Sequence, residues 1–193
     1  MKIAITGANG FIAKNLVLYL QQDTNNILYK INRFTNKKKL ENIIRKSDII
    51  FHFAGVNKPK KQKLPFKENE RITERICKFI ELNKLKKKII FSSSIKVKEK
   101  NNEYGKSKLN CEKKLINLVK KNPSRIFILR LPNVFGKWSK PNYNSVVSTF
   151  CFNISRKKKI NISNENKAIK LLYIDDLLKV LISLKNIKNN KNK

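Results

Sequence analysis

The chain has 193 residues, 40 % of them hydrophobic, which suits one well-cored domain of about 150 residues with an appendage and excludes a disordered polymer. The formal net charge is +32, yet only seven of the 45 basic residues are Arg and no helix-turn-helix, zinc-knuckle or RNP-type aromatic pattern accompanies them. Nucleic-acid readers favour the planar Arg fork, so the excess of Lys, Asn and Ile points to drift towards A/T-rich codons and to attraction of small anions, with no nucleic-acid partner expected.

In chain order, Lys2 to Thr6 is predicted as a short buried strand and Gly7 to Gly10 as a turn. Phe11 to Gln22 carries apolar residues at helical spacing, and Ile27 to Ile31 is predicted as a second strand. Lys37 to Lys46 is predicted as a basic amphipathic helix with Leu40, Ile43 and Ile44 inward, and Asp48 to Phe53 as a strand closed by Ala54-Gly55. A loop rich in Lys and Pro runs to about Pro65. A helix over Asn69 to Asn83, a strand over Lys88 to Ser92, a long helix over Tyr104 to Lys121 and a strand over Ile126 to Leu131 follow. Strand and helix alternate throughout, which predicts an α/β fold with a doubly wound parallel sheet of the Rossmann type.

Beyond Pro132 the pattern loosens. Ser145 to Ile154 is expected to be a helix, Ala168 to Tyr173 a strand and Asp175 to Leu184 a final helix. The expected division is a dinucleotide-binding core over 1–131, a small substrate-binding portion over 132–184 and a frayed basic tail over 185–193. No run approaches the roughly 18 apolar residues of a membrane span, and no signal-peptide-like segment opens the chain. Cys77, Cys111 and Cys151 are odd in number and widely separated, with no CxxC, so neither a disulfide framework nor a metal site is expected and a cytoplasmic location fits.

Three groups of residues carry chemistry. The first is Gly7-Ala8-Asn9-Gly10-Phe11-Ile12-Ala13, between the first strand and the first helix. Two glycines permit a tight turn and close backbone approach, Ala13 permits close packing of helix on strand, and a pyrophosphate would sit at the helix N-terminus. The second strand ends at Ile31-Asn32-Arg33, where NAD sites place a carboxylate for the ribose 2′-hydroxyl. Here a guanidinium follows Asn32, so NADPH is preferred to NADH or NAD, with Arg33 as the 2′-phosphate partner and Lys14 or Lys37 assisting.

The second group is Tyr104-Gly105-Lys106-Ser107-Lys108 at the start of a helix, where positions i and i+4 share a face. A free phenol titrates at about 10. A neighbouring ammonium is expected to lower that value and fit Tyr104 for proton exchange with a carbonyl or hydroxyl. The third is Ser92-Ser93-Ser94, which closes the preceding strand ten residues ahead of Tyr104. A serine hydroxyl there could bond the reacting oxygen; Ser94 is chosen by its place in the motif, with Ser93 second.

G-x-x-G-x-x-A, then Ser, then Y-x-x-x-K together resemble the extended short-chain dehydrogenase family of nucleotide-sugar epimerases and dehydratases. Asp48-Ile-Ile-Phe-His-Phe-Ala-Gly55 and Tyr173-Ile-Asp-Asp176 resemble two further segments of that family. His52, the only histidine, is taken as structural. Ala54-Gly-Val-Asn-Lys-Pro59, the serine run and the segment Arg130 to Val146 are similar to one subgroup, the reductases of capsular-polysaccharide precursor synthesis.

The resemblance implies reduction of the 4-keto group of a UDP-4-keto-6-deoxy-HexNAc with NADPH. Ser94, Tyr104 and Lys108 would be catalytic. Gly7, Asn9, Gly10, Phe11, Ile12, Arg33, Phe53, Ala54 and Gly55 would hold the cofactor with Tyr104 and Lys108. Asn133, Lys137, Trp138 and Tyr143 would contact the sugar nucleotide, with Lys140 a further partner for its diphosphate. It also implies a homodimer, and leaves open a separate cupin-type epimerase partner for a function that relatives carry on a further metal-holding domain. The stretch between Ile31 and Asp48 is short for the family, so one small strand is expected to be missing. A nucleotide-sugar 4-epimerase or 4,6-dehydratase with tightly bound NAD remains open, as does a non-catalytic dinucleotide-binding protein or decayed fragment.

Overall fold

A computed structural model describes residues 1–57, 66–162 and 168–187. Five parallel strands form the central sheet: β1 (Lys2–Thr6), β2 (Ile27–Ile31), β3 (Ile49–His52), β4 (Lys88–Ser94) and β5 (Arg125–Leu131), in the order β2-β1-β3-β4-β5. Beyond β2 no further strand adds to that edge among the described residues, as the short stretch after Ile31 predicts. Residues 3–5 of β1, 49–51 of β3 and 89–91 of β4 are continuous apolar runs because both faces of a parallel sheet are covered.

Helices α1 (Phe11–Gln21) and α6 (Ile174–Asn186) cover one face; α2 (Lys37–Lys46), α3 (Lys67–Leu82) and α4 (Glu103–Lys121) cover the other. Ile3, Ile5, Phe51 and Ile90 point towards α1 and α6, where Leu16, Leu20, Leu177 and Leu181 meet them. Ala4, Ile50, Ile89 and Phe91 point the other way, onto Leu40, Ile76, Ile80 and Leu115. Each large side chain so buried stabilises the fold by roughly 1.5–3 kcal/mol before the entropy of ordering it is counted. The helix starts follow side-chain chemistry: Asn36 caps α2 by accepting from the Lys39 amide, and Asn102 caps α4 by accepting from the Gly105 amide.

The region after β5 differs from its expected form. A three-residue strand, β6 (Asn133–Phe135), pairs in parallel with β7 (Leu171–Tyr173) in a separate two-stranded sheet. Three residues are too few to show a period of two, so β6 is invisible in the sequence, and the strand expected over Ala168 to Tyr173 shrinks to its second half. α5 (Val146–Ile154) follows a Ser145 cap and buries none of its residues. The final helix begins one residue earlier and ends two later than expected, and it packs as a layer of the core although it lies in the expected substrate-binding portion. The Lys- and Pro-rich run 58–65, including Lys58-Pro59, and the end of the basic tail, 188–193, lie outside the described residues.

Candidate active site

The C-terminal ends of β1 to β5 open into one cleft of about 1000 Å³, where ligands of doubly wound sheets bind. One side is the turn between β1 and α1. Gly7 has φ +67°, and a side chain there would strike the Ala54 backbone at 2.8 Å, so only glycine lets the two strand ends approach. Gly10 is the N-cap of α1 and offers no capping side chain, so the first-turn amides of α1 keep no side-chain partner at that end. No acidic residue lies in that first turn. A pyrophosphate supplies the acceptors and negative charge such a terminus lacks, and the residues present fit a dinucleotide.

Asn9, Gly10, Phe11 and Ile12 line the cleft with Gly7, and Phe53, Ala54 and Gly55 face them from the end of β3. Asn32 and Arg33, just beyond β2, and Lys14 on α1 also line the cleft. Lys37 does not reach the cleft and instead pairs with Glu41 at 3.9 Å. Arg71, Arg75, Lys96 and Lys140 add further positive charge; among the described lining residues Glu68 is the only carboxylate, and Arg71 pairs with it at 3.3 Å. A low-dielectric cleft of one sign focuses its field on anions.

On the opposite wall stand Ser94, Tyr104 and Lys108. Ser94 is the last residue of β4, and its Oγ accepts from the Lys96 amide at 3.2 Å, capping a 3-10 turn over Ile95–Lys98. The hydroxyl is an acceptor in that bond, so its proton stays available for an oxygen in the cleft. Lys108 is buried, donates to the Ser92 carbonyl at 2.8 Å and lies 4.7 Å from the centre of the Phe91 ring. Burial pulls its pKa down to about 8.

Tyr104 departs from expectation. Burial, with a lesser contribution from Cys111, pushes its phenol up to about 12. The ammonium does not counter this because it is held by the Ser92 carbonyl, 6.0 Å from the Tyr104 ring centre. The phenol is therefore protonated at neutral pH, the state a proton donor needs.

Asn133, Trp138 and Tyr143 also line the cleft, and the Tyr143 hydroxyl donates to Asn57 across its mouth at 3.0 Å. Trp138 takes φ +67°, an unusual conformation for a tryptophan, in the tight segment after Gly136. Lys137 is the exception among the expected contacts. Its ammonium lies over the Trp138 ring, 4.6 Å from the centre, and its carbonyl accepts from Asn15 at 2.9 Å, whereas Lys140 lines the cleft.

Two asparagines escaped the sequence reading. Asn15 on α1 donates to Phe11 and Lys137 carbonyls, tying the start of α1 to the segment that carries Trp138. Asn69 on α3 accepts from the Val56 amide and donates to the Val56 carbonyl and to Ser107. Asn69 and Thr73 share the buried stripe of α3 with Ile76 and Ile80, and polar residues on an otherwise apolar stripe are the available signal. His52 lies outside the cleft. It is fully buried between Thr6, which meets Nδ1 at 2.8 Å, and Thr73, which meets Nε2 at 2.9 Å, and burial followed by the Lys108 charge holds it neutral with a pKa of about 3. Among the described residues no three metal-ligating side chains cluster, and no helix is long and apolar enough to cross a membrane.

A parallel sheet with a glycine-lined turn and a Ser, Tyr and Lys set lining one cleft is the architecture of the short-chain dehydrogenase fold. The sequence pattern of the NAD dependent epimerase/dehydratase family matches residues 3–193, and the chain belongs to that family. It is 40 % identical over 184 residues to a UDP-2-acetamido-2,6-beta-L-arabino-hexul-4-ose reductase of Pseudomonas aeruginosa, covering 95 % of this chain and 49 % of the relative. The capsular polysaccharide assembling protein CapF from Staphylococcus aureus superposes with a TM-score of 0.80 at 34 % identity, over 100 % of this chain and 51 % of that one. A UDP-N-acetylglucosamine 4-epimerase from Bacillus cereus shares the fold, with a TM-score of 0.81 at 22 % identity, over 96 % of this chain and 72 % of that one. The chain spans about half the length of the curated reductase and of CapF.

Proposed function

We propose that this chain reduces the 4-keto group of a UDP-4-keto-6-deoxy-HexNAc with NADPH, in the synthesis of a capsule or O-antigen precursor. One observation carries the reading: Ser94, Tyr104 and Lys108 line the same cleft as the dinucleotide cradle and the Asn133–Tyr143 segment. The 40 % identity to a hexul-4-ose reductase supports the choice of substrate class.

Bound NADPH would supply the hydride for the carbonyl carbon. Ser94 donates a hydrogen bond to the reacting oxygen, and Tyr104 gives its proton to the alkoxide that forms there. Protonation of Tyr104 at neutral pH suits this direction, since reduction consumes a proton. Lys108 lies beside Gly55, where a side chain would meet its Nζ at 3.1 Å, and would hold the nicotinamide ribose there. Arg33, with Lys14, would pair with the 2′-phosphate. Asn133, Trp138, Tyr143 and Lys140 would receive the sugar nucleotide. The active unit is taken as a homodimer.

The test is a turnover assay on UDP-4-keto-6-deoxy-HexNAc, beside fluorescence titrations with NADPH and NADH. Preference for NADPH of at least about tenfold, reduced to near parity in Arg33→Ser, is the expected result, since one charge-assisted contact contributes about 1.5–3 kcal/mol. Copurification of stoichiometric NAD with epimerisation in place of net reduction would overturn the assignment.

A further inference from the structure

Glu112 lies on the same face of α4 as Tyr104 and Lys108, at successive intervals of four residues. Its side chain is 3 % exposed, whereas every other carboxylate in the described ion pairs is at least 27 % exposed. A buried carboxylate must be paired and hydrogen-bonded. Arg130 grips it with two parallel bonds, Nε to Oε1 at 3.1 Å and Nη2 to Oε2 at 2.7 Å, and Ser93 Oγ donates to Oε1. Burial alone would raise the pKa of Glu112, but these bonds and the Arg130 and Lys108 charges outweigh it and hold the group ionised.

The two partners sit side by side. Ser93 on β4 and Arg130 on β5 are register neighbours in the parallel ladder. Side chains alternate along a strand, so Ser93 faces α4 while Ser94 turns to the opposite side. One residue earlier, the Ser92 carbonyl receives Lys108. α4 thus holds two consecutive residues of β4 immediately before Ser94, and on β5 it holds the residue two before Pro132, where the segment towards Trp138 begins. We propose that Glu112 is a positioning residue, whose bonds to Ser93 and Arg130 fix the height of α4 against β4 and β5 and so hold Tyr104, Ser94 and the Asn133 segment in mutual register.

This rests on the reduction proposed above for its kinetic test, but not for its structural one. Glu112→Gln keeps the volume and removes the charge; Ser93→Ala removes one bond and leaves the ion pair, and serves if the first variant folds poorly. In the reductase assay well below the melting temperature, kcat per folded molecule falls about tenfold or more for Glu112→Gln and less for Ser93→Ala, while the NADPH Kd stays within about threefold, because displacement of an attacking geometry costs rate more than binding. A lowered melting temperature with unchanged kcat would mean a purely structural bond and would overturn the proposal. Hydrogen exchange is measured on the same proteins without substrate. Faster exchange confined to residues 92–96 and 130–135 supports the positioning role even if wild type reduces no 4-keto sugar, an outcome that sinks only the assigned reaction. Exchange unchanged in those segments overturns the proposal whatever the assay shows.

Discussion

At the N-terminal end of β4, Lys87 and Lys88 turn their ammonium groups onto helix ends. Lys87 donates to the Arg45 and Ser47 carbonyls at the close of α2, and Lys88 to the Lys185 and Ile187 carbonyls at the close of α6. Near its C-terminal end, Lys108 donates to the Ser92 carbonyl of the strand beside an open cleft. Burial lowers the pKa of all three. At the first end each charge answers orphan carbonyls and a helix dipole, so the chain satisfies itself. At the second, Gly7 and Gly55 leave room where side chains would crowd their neighbours, and Ser94, Tyr104 and Lys108 face the open cleft. One residue type is thus a structural cap at one end of a sheet and a cleft-lining side chain at the other, and only its surroundings distinguish the two.

Four experiments separate the two ends. Tyr104→Phe removes the proposed proton donor at the open end and is expected to lower turnover by about 10²–10⁴-fold, the range for a general acid, with NADPH affinity kept within a few-fold. Kinetics and titration on one preparation check it, and unimpaired turnover would exclude Tyr104 as the acid. Gly105→Ala comes next. A Cβ there collides with the Lys96 carbonyl, so the 3-10 turn must move away from α4 and take the Ser94 cap with it. A loss of about 1–3 kcal/mol in urea unfolding, together with a fall in kcat, is expected.

The third experiment is a pH profile. Tyr104, at about 12, stays protonated across the accessible range, whereas Lys108, at about 8, loses its charge first. kcat/KM for the free enzyme should therefore be flat below about pH 8 and fall about tenfold per unit above it. A limb lying beyond pH 10 would show that Lys108 stays charged in solution. The smallest effect belongs to the closed end. Lys88→Met leaves the α6 carbonyls without their donor and lowers stability by about 1 kcal/mol, with NADPH affinity unchanged. A change in affinity would mean that the two ends are coupled.

The sequence by itself determined the architecture of the Rossmann half. Buried parallel strands must be apolar on both faces and their helices must carry a stripe, so Ile3 to Ile5, Ile49 to Phe51 and Ile89 to Phe91 declare themselves without coordinates. The spacing Gly7 to Ala13 and Tyr104 to Lys108 was equally legible, because tight turns and helix faces impose local rules on residue type. Tertiary structure alone decided the rest. β6 is stabilised by a strand some 36 residues away in sequence and shows no local period. Glu112, Asn15 and Asn69 act through partners on other segments, and Lys137 turns onto Trp138 while Lys140 lines the cleft. The protonation of Tyr104 likewise depends on burial and on which group holds the neighbouring ammonium, two quantities set by three-dimensional packing and absent from spacing along a helix.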